Sequence, residues 1–168
     1  PWPALAQRSP DAPEAAGPVQ RPDTHRNALS NKQMVVAANP HAADAGRDIL
    51  RAGGSAADAA IAVQLVLGLV EPQSSGLGGG GFLLHWSNAT AELRTYDGRE
   101  TAPAAARPDR FIKDGKPLSL PAAIRTGLAV GVPGTVRVLE HVHQRHGHLK
   151  WADLFAPAIR LAEDGFTV

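Results

Sequence analysis

The sequence contains no cysteine. This absence excludes disulfide bonds, catalysis by a thiolate and zinc sites with cysteine ligands, and it is compatible with any redox compartment. Aromatic residues make up only 5% of the chain, so we expect a core of small aliphatic side chains. The 17 basic and 16 acidic residues nearly cancel, and no stripe of Lys and Arg alternates with aromatic residues. Nucleic acid is therefore not an expected partner.

Long hydrophobic runs are also lacking. A membrane-spanning helix needs about 18 consecutive apolar residues or more, and the best candidate, residues 56–70, is interrupted by Asp58 and Gln64. The N-terminus resembles the end of a secretory signal peptide, because Ala4 and Ala6 match a small-residue cleavage pattern. An Ala-rich leader with no targeting function is the alternative. The signal-peptide interpretation predicts a periplasmic or secreted protein.

The chain divides by composition near residue 30. Residues 1–30 are rich in Pro, Ala, Asp and Arg without helical or strand periodicity, which predicts a signal-peptide remnant followed by a mobile lead-in. We expect residues 31–168 to be ordered. Strands are predicted at residues 34–38, 82–86 and 92–97, the last two as an antiparallel hairpin. Helices are predicted over residues 41–52, 55–70, 132–146 and 151–163. This order indicates an α+β fold.

Local residues support these boundaries. Asn39 is a good N-cap for the first helix, with Pro40 at its first position. Ser55 and Asp58 form a pattern like a capping box at the start of the second helix. A turn is expected at Asp114-Gly115, in an exposed excursion. The last helix should turn four side chains inward, namely Leu154, Ala158, Ile159 and Leu161.

A run of glycines over residues 76–81 is the first candidate for a binding site. A phosphate-binding loop presents its N–H groups at the start of a helix. This run instead precedes a strand and lacks the Gly-Lys-Ser/Thr signature, so phosphate binding is disfavoured. The alternative is steric, because adjacent glycines allow a backbone or a ligand to approach where a Cβ atom would clash.

Arg99 follows the second strand of the hairpin, in the stretch Asp97 to Pro103. A planar guanidinium held at the end of a rigid element can bind a carboxylate through two parallel hydrogen bonds. The neighbouring Asp97 and Glu100 could hold its rotamer, or they could neutralise it in a surface ion pair. The residues alone favour the surface ion pair.

Four histidines lie near the end of the third long helix, at positions 141, 143, 146 and 148. Two metal ligands on one helix face need a spacing of four residues, and these histidines are spaced by two, three and two. We therefore predict a solvated helix end with no metal site. No serine lies in a Gly-x-Ser-x-Gly motif, so a Ser-His-Asp triad is not indicated either.

Together, six stretches resemble the beginning of the large subunit of the γ-glutamyltranspeptidase family, and they occur in the family's order. The glycine run combined with Asp-x-Arg-Glu-x-Ala-Pro is the most specific of them. The six stretches are residues 34–37, 48–59, 76–82, 97–103, 131–135 and 161–166.

The resemblance implies an N-terminal-nucleophile hydrolase with four αββα layers, of which this chain would hold an incomplete part. Such a precursor cuts itself into a large and a small subunit. The N-terminal Thr of the small subunit attacks γ-glutamyl amides such as glutathione, and water, amino acids or peptides accept the acyl group. Arg99 would bind the α-carboxylate of the donor. No cofactor or metal is implied.

The resemblance places the nucleophile outside this chain, so the chain alone should be inactive and its partner would be the small subunit. Two alternatives remain open at this point. One is an amide hydrolase of the same family that acts on cephalosporins, and the other is a non-catalytic homologue or fragment.

Overall fold

The computed structural model describes residues 30–167 of the chain. The predicted lead-in over residues 1–30 lies outside this part, apart from Ser30. The described residues belong to two compact units, one formed by residues 30–107 and 130–167 and the other by residues 108–129. Both contain helix and antiparallel strands, which confirms an α+β fold.

The elements of the larger unit follow the predicted order. Its first four are α1 (Pro40–Arg51), α2 (Ala56–Val70), β1 (Phe82–Ser87) and β2 (Glu92–Asp97). They are followed by α4 (Thr135–His146), a 3-10 helix (Trp151–Phe155) and α5 (Ala156–Asp164). The smaller unit contains the two-residue strands β3 (Ile112–Lys113) and β4 (Lys116–Pro117), then α3 (Leu120–Ile124) and a 3-10 turn (Gly127–Ala129).

The first two helices begin at the predicted caps. The Asn39 side chain accepts a hydrogen bond from the backbone N–H of His41 at 3.0 Å, with Pro40 in the first turn of α1. Ser55 and Asp58 form a reciprocal capping box, in which each side chain accepts from the other's backbone N–H at 3.1 and 2.9 Å. Between the helices Gly53 adopts a φ of +90°, which favours glycine. Both capping predictions are confirmed.

The core of the larger unit lies around α2, which packs against α1, α4, α5 and the 3-10 helix. Ile61 is fully buried there beside Leu154, and Ile49 of α1 joins the same cluster. The axes of α1 and α2 come close at Gly46, where a Cβ atom would lie 2.7 Å from a methyl group of Val63. The expected core of small aliphatic side chains is therefore present.

The hairpin has one face against the core and one exposed face. β1 and β2 pair in register from Phe82 opposite Asp97 to Ser87 opposite Glu92. Tyr96 is buried on the inner face and packs with Ala57 and Val142. The outer face carries the exposed apolar side chains of Phe82, Leu84, Trp86 and Leu93.

Two predictions about secondary structure were wrong. Residues 34–38 do not form a strand, because no other strand among residues 30–167 pairs with them, although Val35 and Ala37 are more buried than Met34 and Val36. The helix predicted over residues 151–163 is divided, with a 3-10 helix before α5. Pro157 lies in the first turn of α5, where its missing N–H costs nothing.

The inward face predicted for the last helix is correct except at one position. Leu154 is fully buried, and Ala158 and Leu161 pack against the cluster around Val66. Ile159 is instead 51% exposed, since the other three side chains already occupy the side of the element that meets the core.

The smaller unit is an exposed excursion, as predicted. Asp114 and Gly115 both have positive φ, +52° and +74°, and they form the turn between β3 and β4. Neither α3 nor the following 3-10 turn contains a buried residue. Across the described part of the chain, no helix combines the length and the apolarity that crossing a membrane requires.

Candidate functional site

A cleft of about 620 Å³ lies in the larger unit, beside the glycine-rich segment. Its walls come from residues 72–83, from α2, from the start of α4 and from the two residues that follow Gly98. The charged residues that line it are Arg99 and Glu100. The cleft therefore joins two of the features that the sequence singled out.

The glycine-rich segment makes a very close backbone contact with the end of β2. A Cβ atom on Gly80 would overlap the carbonyl oxygen of Gly98 and would lie 2.8 Å from the backbone nitrogen of Glu100. The next residue, Gly81, exchanges two backbone hydrogen bonds with Gly98, at 3.2 and 2.9 Å. The steric interpretation of the glycine run therefore agrees with this geometry.

The N-terminus of α4 closes the same contact from the other side. The backbone N–H groups of Gly134 and Thr135 both donate to the carbonyl oxygen of Gly79, at 2.9 and 3.1 Å. A Cβ atom on Gly134 would overlap the Gly98 carbonyl oxygen. Because a protein carbonyl already occupies these two donors, the start of α4 does not offer them to a phosphate.

The contribution of α4 to this site was not predicted from the sequence. Val138 lies directly against Gly98, where a Cβ atom would come within 2.5 Å of the valine side chain. The Thr135 hydroxyl lies 3.4 Å from the carbonyl oxygen of Gly76. The stretch over residues 131–135 was the signal in the sequence that could have indicated this contribution. Its small residues do not reveal which part of the chain they contact, so the contact could not be predicted.

Arg99 leaves the hairpin immediately after β2 and lines the cleft. Its backbone N–H donates to the Asp97 carboxylate at 2.9 Å. Its side chain is 63% exposed, and Nη1 lies 3.1 Å from Oε2 of Glu100, which is 27% exposed. Among residues 30–167 the predicted ion pair is thus formed with Glu100 and not with Asp97, and the other guanidinium donors leave capacity for an anion.

The prediction of a solvated helix end is wrong for two of the four histidines, His143 and His146. The side chain of His143 is only 17% exposed, and its Nε2 atom lies 2.9 Å from the carbonyl oxygen of Leu149. His146 stacks on His85 of β1. His148 is exposed, as expected. Among residues 30–167 no group of three His, Asp or Glu side chains is arranged to hold a metal ion.

The family model for gamma-glutamyltranspeptidase matches residues 42–168. The glutathione hydrolase proenzyme of Bacillus subtilis (strain 168) is 40% identical over 157 residues, which cover 92% of this chain and 27% of that protein. Glutathione hydrolase 3 of Arabidopsis thaliana is 43% identical over 139 residues, covering 83% and 21%. The chain thus spans about a quarter of the length of these curated relatives.

Solved structures of the same family also match this chain. The gamma-glutamyltranspeptidase from Pseudomonas nitroreducens complexed with L-DON matches with a TM-score of 0.77 and 35% identity, over 83% of this chain and 41% of that one. A cephalosporin acylase from Bacillus halodurans matches with a TM-score of 0.60 and 33% identity, over 84% and 27%. By sequence and by structure, this chain belongs to the γ-glutamyltranspeptidase family.

Proposed function

We propose that this chain is the N-terminal portion of the large subunit of an enzyme that cleaves γ-glutamyl amides such as glutathione. The acyl group would pass to water, amino acids or peptides, and Arg99 would bind the α-carboxylate of the donor. The names of the curated relatives support the substrate class. The observation that carries the assignment of Arg99 is its exposed guanidinium in the wall of the cleft.

Arg99 suits this role chemically. Its backbone is held by the Asp97 carboxylate and by the paired glycines beside it, while its side chain stays accessible. A ligand carboxylate would meet a planar fork with parallel donors, which Lys does not offer. Glu100 neutralises the arginine in the absence of a ligand.

The rest of the active site belongs to the proposed small subunit. Its N-terminal Thr would attack the amide carbonyl, with its own α-amine taking the proton and passing it to the departing amine. Water or an acceptor amine would then release the acyl group from the ester. A relative described as a proenzyme supports processing of a precursor. Both subunits together would form the four αββα layers, and this chain alone would be inactive.

The test is donor kinetics in the complete precursor protein, with a chromogenic γ-glutamyl anilide as substrate. Loss of a hydrogen bond to a charged group costs about 1.5–3 kcal/mol, so Arg99→Ala should raise KM by roughly 10- to 150-fold. Arg99→Lys should recover only part of this loss. Self-cleavage, followed on a gel, should continue in both variants.

Arg47 provides a matched control, because it is an ion-paired surface arginine on α1, whose side chain does not line the cleft. Arg47→Ala should leave KM unchanged. Unchanged donor kinetics in Arg99→Ala would refute the assigned role. An unmodified protein that neither cleaves itself nor hydrolyses the anilide would instead be a non-catalytic homologue.

A cephalosporin amide hydrolase is the second candidate, supported by the similarity to the Bacillus halodurans acylase. The higher TM-score of the gamma-glutamyltranspeptidase from Pseudomonas nitroreducens favours the first candidate. Parallel assays on the γ-glutamyl anilide and on a cephalosporin amide separate the two. We also propose that the protein is exported to the periplasm or the medium, which fractionation of expressing cells would test.

A further inference from the structure

Two imidazole rings join the hairpin to α4. The rings of His85, on β1, and His146, at the end of α4, stack with their centroids 3.8 Å apart and their planes 12° from parallel. The Tyr96 hydroxyl lies 2.6 Å from Nε2 of His146. Strand and helix therefore meet through two stacked imidazole rings.

The surroundings of the stack offer little to compensate a positive charge. Nδ1 of His85 is buried and has no hydrogen-bond partner among the described residues, so a charge on this ring would lack the hydrogen bonding that a buried ion needs. Burial lowers the pKa of His146 most, and His85, Arg94 and Arg145 lower it further, while Glu92 acts in the opposite direction. The carbonyl groups at the end of α4 favour a cation, but they do not outweigh these effects.

The charged groups around the stack are mainly cationic. Arg94 lies opposite His85 across the hairpin, and its guanidinium forms two hydrogen bonds with Glu92, at 3.0 and 3.1 Å. On α4, Arg145 lies 2.8 Å from Nδ1 of His141. The one carboxylate among these neighbours is therefore already engaged. The titratable and charged groups that face the stack are Glu92, Arg94, Tyr96, His141 and Arg145.

The stack lies at one end of a longer contact between α4 and β2. Val142 packs with Tyr96 in the middle of this contact, and Val138 lies against Gly98 near the other end. The helix thus follows the strand up to the residue before Arg99. This contact connects the histidine end of the helix to the strand that precedes the arginine.

We infer that the His85–His146 stack is a proton-sensitive clasp, which holds the hairpin against α4 while both rings are neutral and loosens when either is protonated. His146 is less basic in the folded protein than in the unfolded chain, so the unfolded chain takes up the proton first as the pH falls. The stabilisation is complete above about pH 6.5 and is lost as the pH falls below that value.

The experiment measures the thermal unfolding midpoint of the complete protein between pH 7.5 and pH 5. His146→Gln keeps an acceptor for Tyr96 but cannot be protonated, and His85→Gln removes the other ring. Both variants should lose less stability in acid than the unmodified protein, by at least about 2 °C in midpoint. His148→Gln, which removes an exposed imidazole from the same segment, should behave like the unmodified protein.

An equal acid-induced fall in all four proteins would overturn the inference. If the variants fail to fold, NMR of the unmodified protein with ¹³C-labelled histidine tests the inference. At least one imidazole should become protonated at a lower pH than the exposed imidazoles do. A common titration of all of them would also overturn it. These arms involve no substrate, so they succeed or fail independently of the proposed function.

A second consequence rests on the role proposed for Arg99. Below about pH 6.5, KM for the γ-glutamyl anilide should rise more steeply in the unmodified protein than in His146→Gln, with kcat following the same pH profile in both. Parallel KM profiles would show that the clasp does not position Arg99, even where the stability arms succeed.

Discussion

The guanidinium of Arg99 lies 3.1 Å from the carboxylate of Glu100, its neighbour in the chain. The arginine side chain is 63% exposed, and an ion pair at such a position contributes only about 0–1 kcal/mol to stability. The pair therefore does not hold the fold together.

The first prediction follows from this weak pairing. Glu100→Gln should change the free energy of unfolding by less than about 1 kcal/mol, because the arginine partner in the ion pair is mostly exposed and glutamine keeps the side-chain shape. Urea denaturation measures the change. Glu92→Gln, at the exposed pair with Arg94, is the matched comparison. A loss above about 2 kcal/mol would mean that Glu100 supports the fold.

The second prediction concerns the contact between Gly98 and Val138. Gly98→Ala places a methyl group within 2.5 Å of the valine side chain, and overpacking of this kind costs about 1–3 kcal/mol. Val138→Ala removes Cγ1, one of the two valine atoms at that distance, and keeps Cβ, the other, so the added methyl group should cost less in that background but not become free of cost. A double-mutant cycle measured by urea denaturation tests this coupling. An equal cost in both backgrounds would show that the two residues are independent.

The third prediction concerns Asp58, which is fully buried at the start of α2. Its Oδ2 atom accepts from the backbone N–H groups of Ser55, His148 and Leu149, at 2.9, 2.9 and 3.1 Å. Asp58→Ala leaves these donors without their acceptor and should cost roughly 2–4 kcal/mol. Asp58→Asn, which keeps one oxygen, should cost less. Similar urea midpoints for the alanine variant and the unmodified protein would contradict this account.

The buried carboxylate of Asp58 should also make the stability of the protein depend on pH. Burial acts to raise the pKa of its carboxyl, but the hydrogen bonds from His148, Ser55 and Leu149 outweigh it and hold the pKa below 3.8. Its stabilisation is therefore present above about pH 4 and is lost as the pH falls through the lowered value. Asp58→Asn should flatten the acid side of the stability curve. A curve of unchanged steepness would argue against it.

The fourth prediction concerns the N-cap of α1. Asn39 accepts from the N–H of His41 and also donates to the Glu71 carboxylate at 3.3 Å. Asn39→Ala should cost about 1 kcal/mol or slightly more, and Asn39→Asp should keep the cap but lose the bond to Glu71. Thermal unfolding of the two variants separates these contributions. Equal losses in both would indicate that the cap itself contributes little.

Features that depend on neighbours in the chain could be predicted from the sequence. Asn39 and Ser55 each bond to a residue two or three positions away, so their sequence alone determines where α1 and α2 begin. The hairpin is equally local, because its strands are joined by a short turn. The family and the glycine contact followed from motifs that span a few residues each.

Features that depend on distant partners could not be predicted. Residues 34–38 have the composition of a strand, but a strand also needs a neighbour to receive its hydrogen bonds. His146 was interpreted as solvated because nothing near it in sequence indicates His85 or Tyr96. Ile159 fits a helical apolar face, yet Pro157 and the 3-10 helix before it shift the side that meets the core.

The carbonyl oxygen of Gly79 accepts hydrogen bonds from two backbone N–H groups at the start of α4. These N–H groups are used for hydrogen bonds within the protein, so they do not contribute positive charge to the cleft. The shape of the cleft and its positive charge therefore depend on different residues. The glycines determine the shape, and Arg99 supplies the positive charge. One substitution at Arg99 would therefore change the charge of the cleft while the glycine framework stays intact.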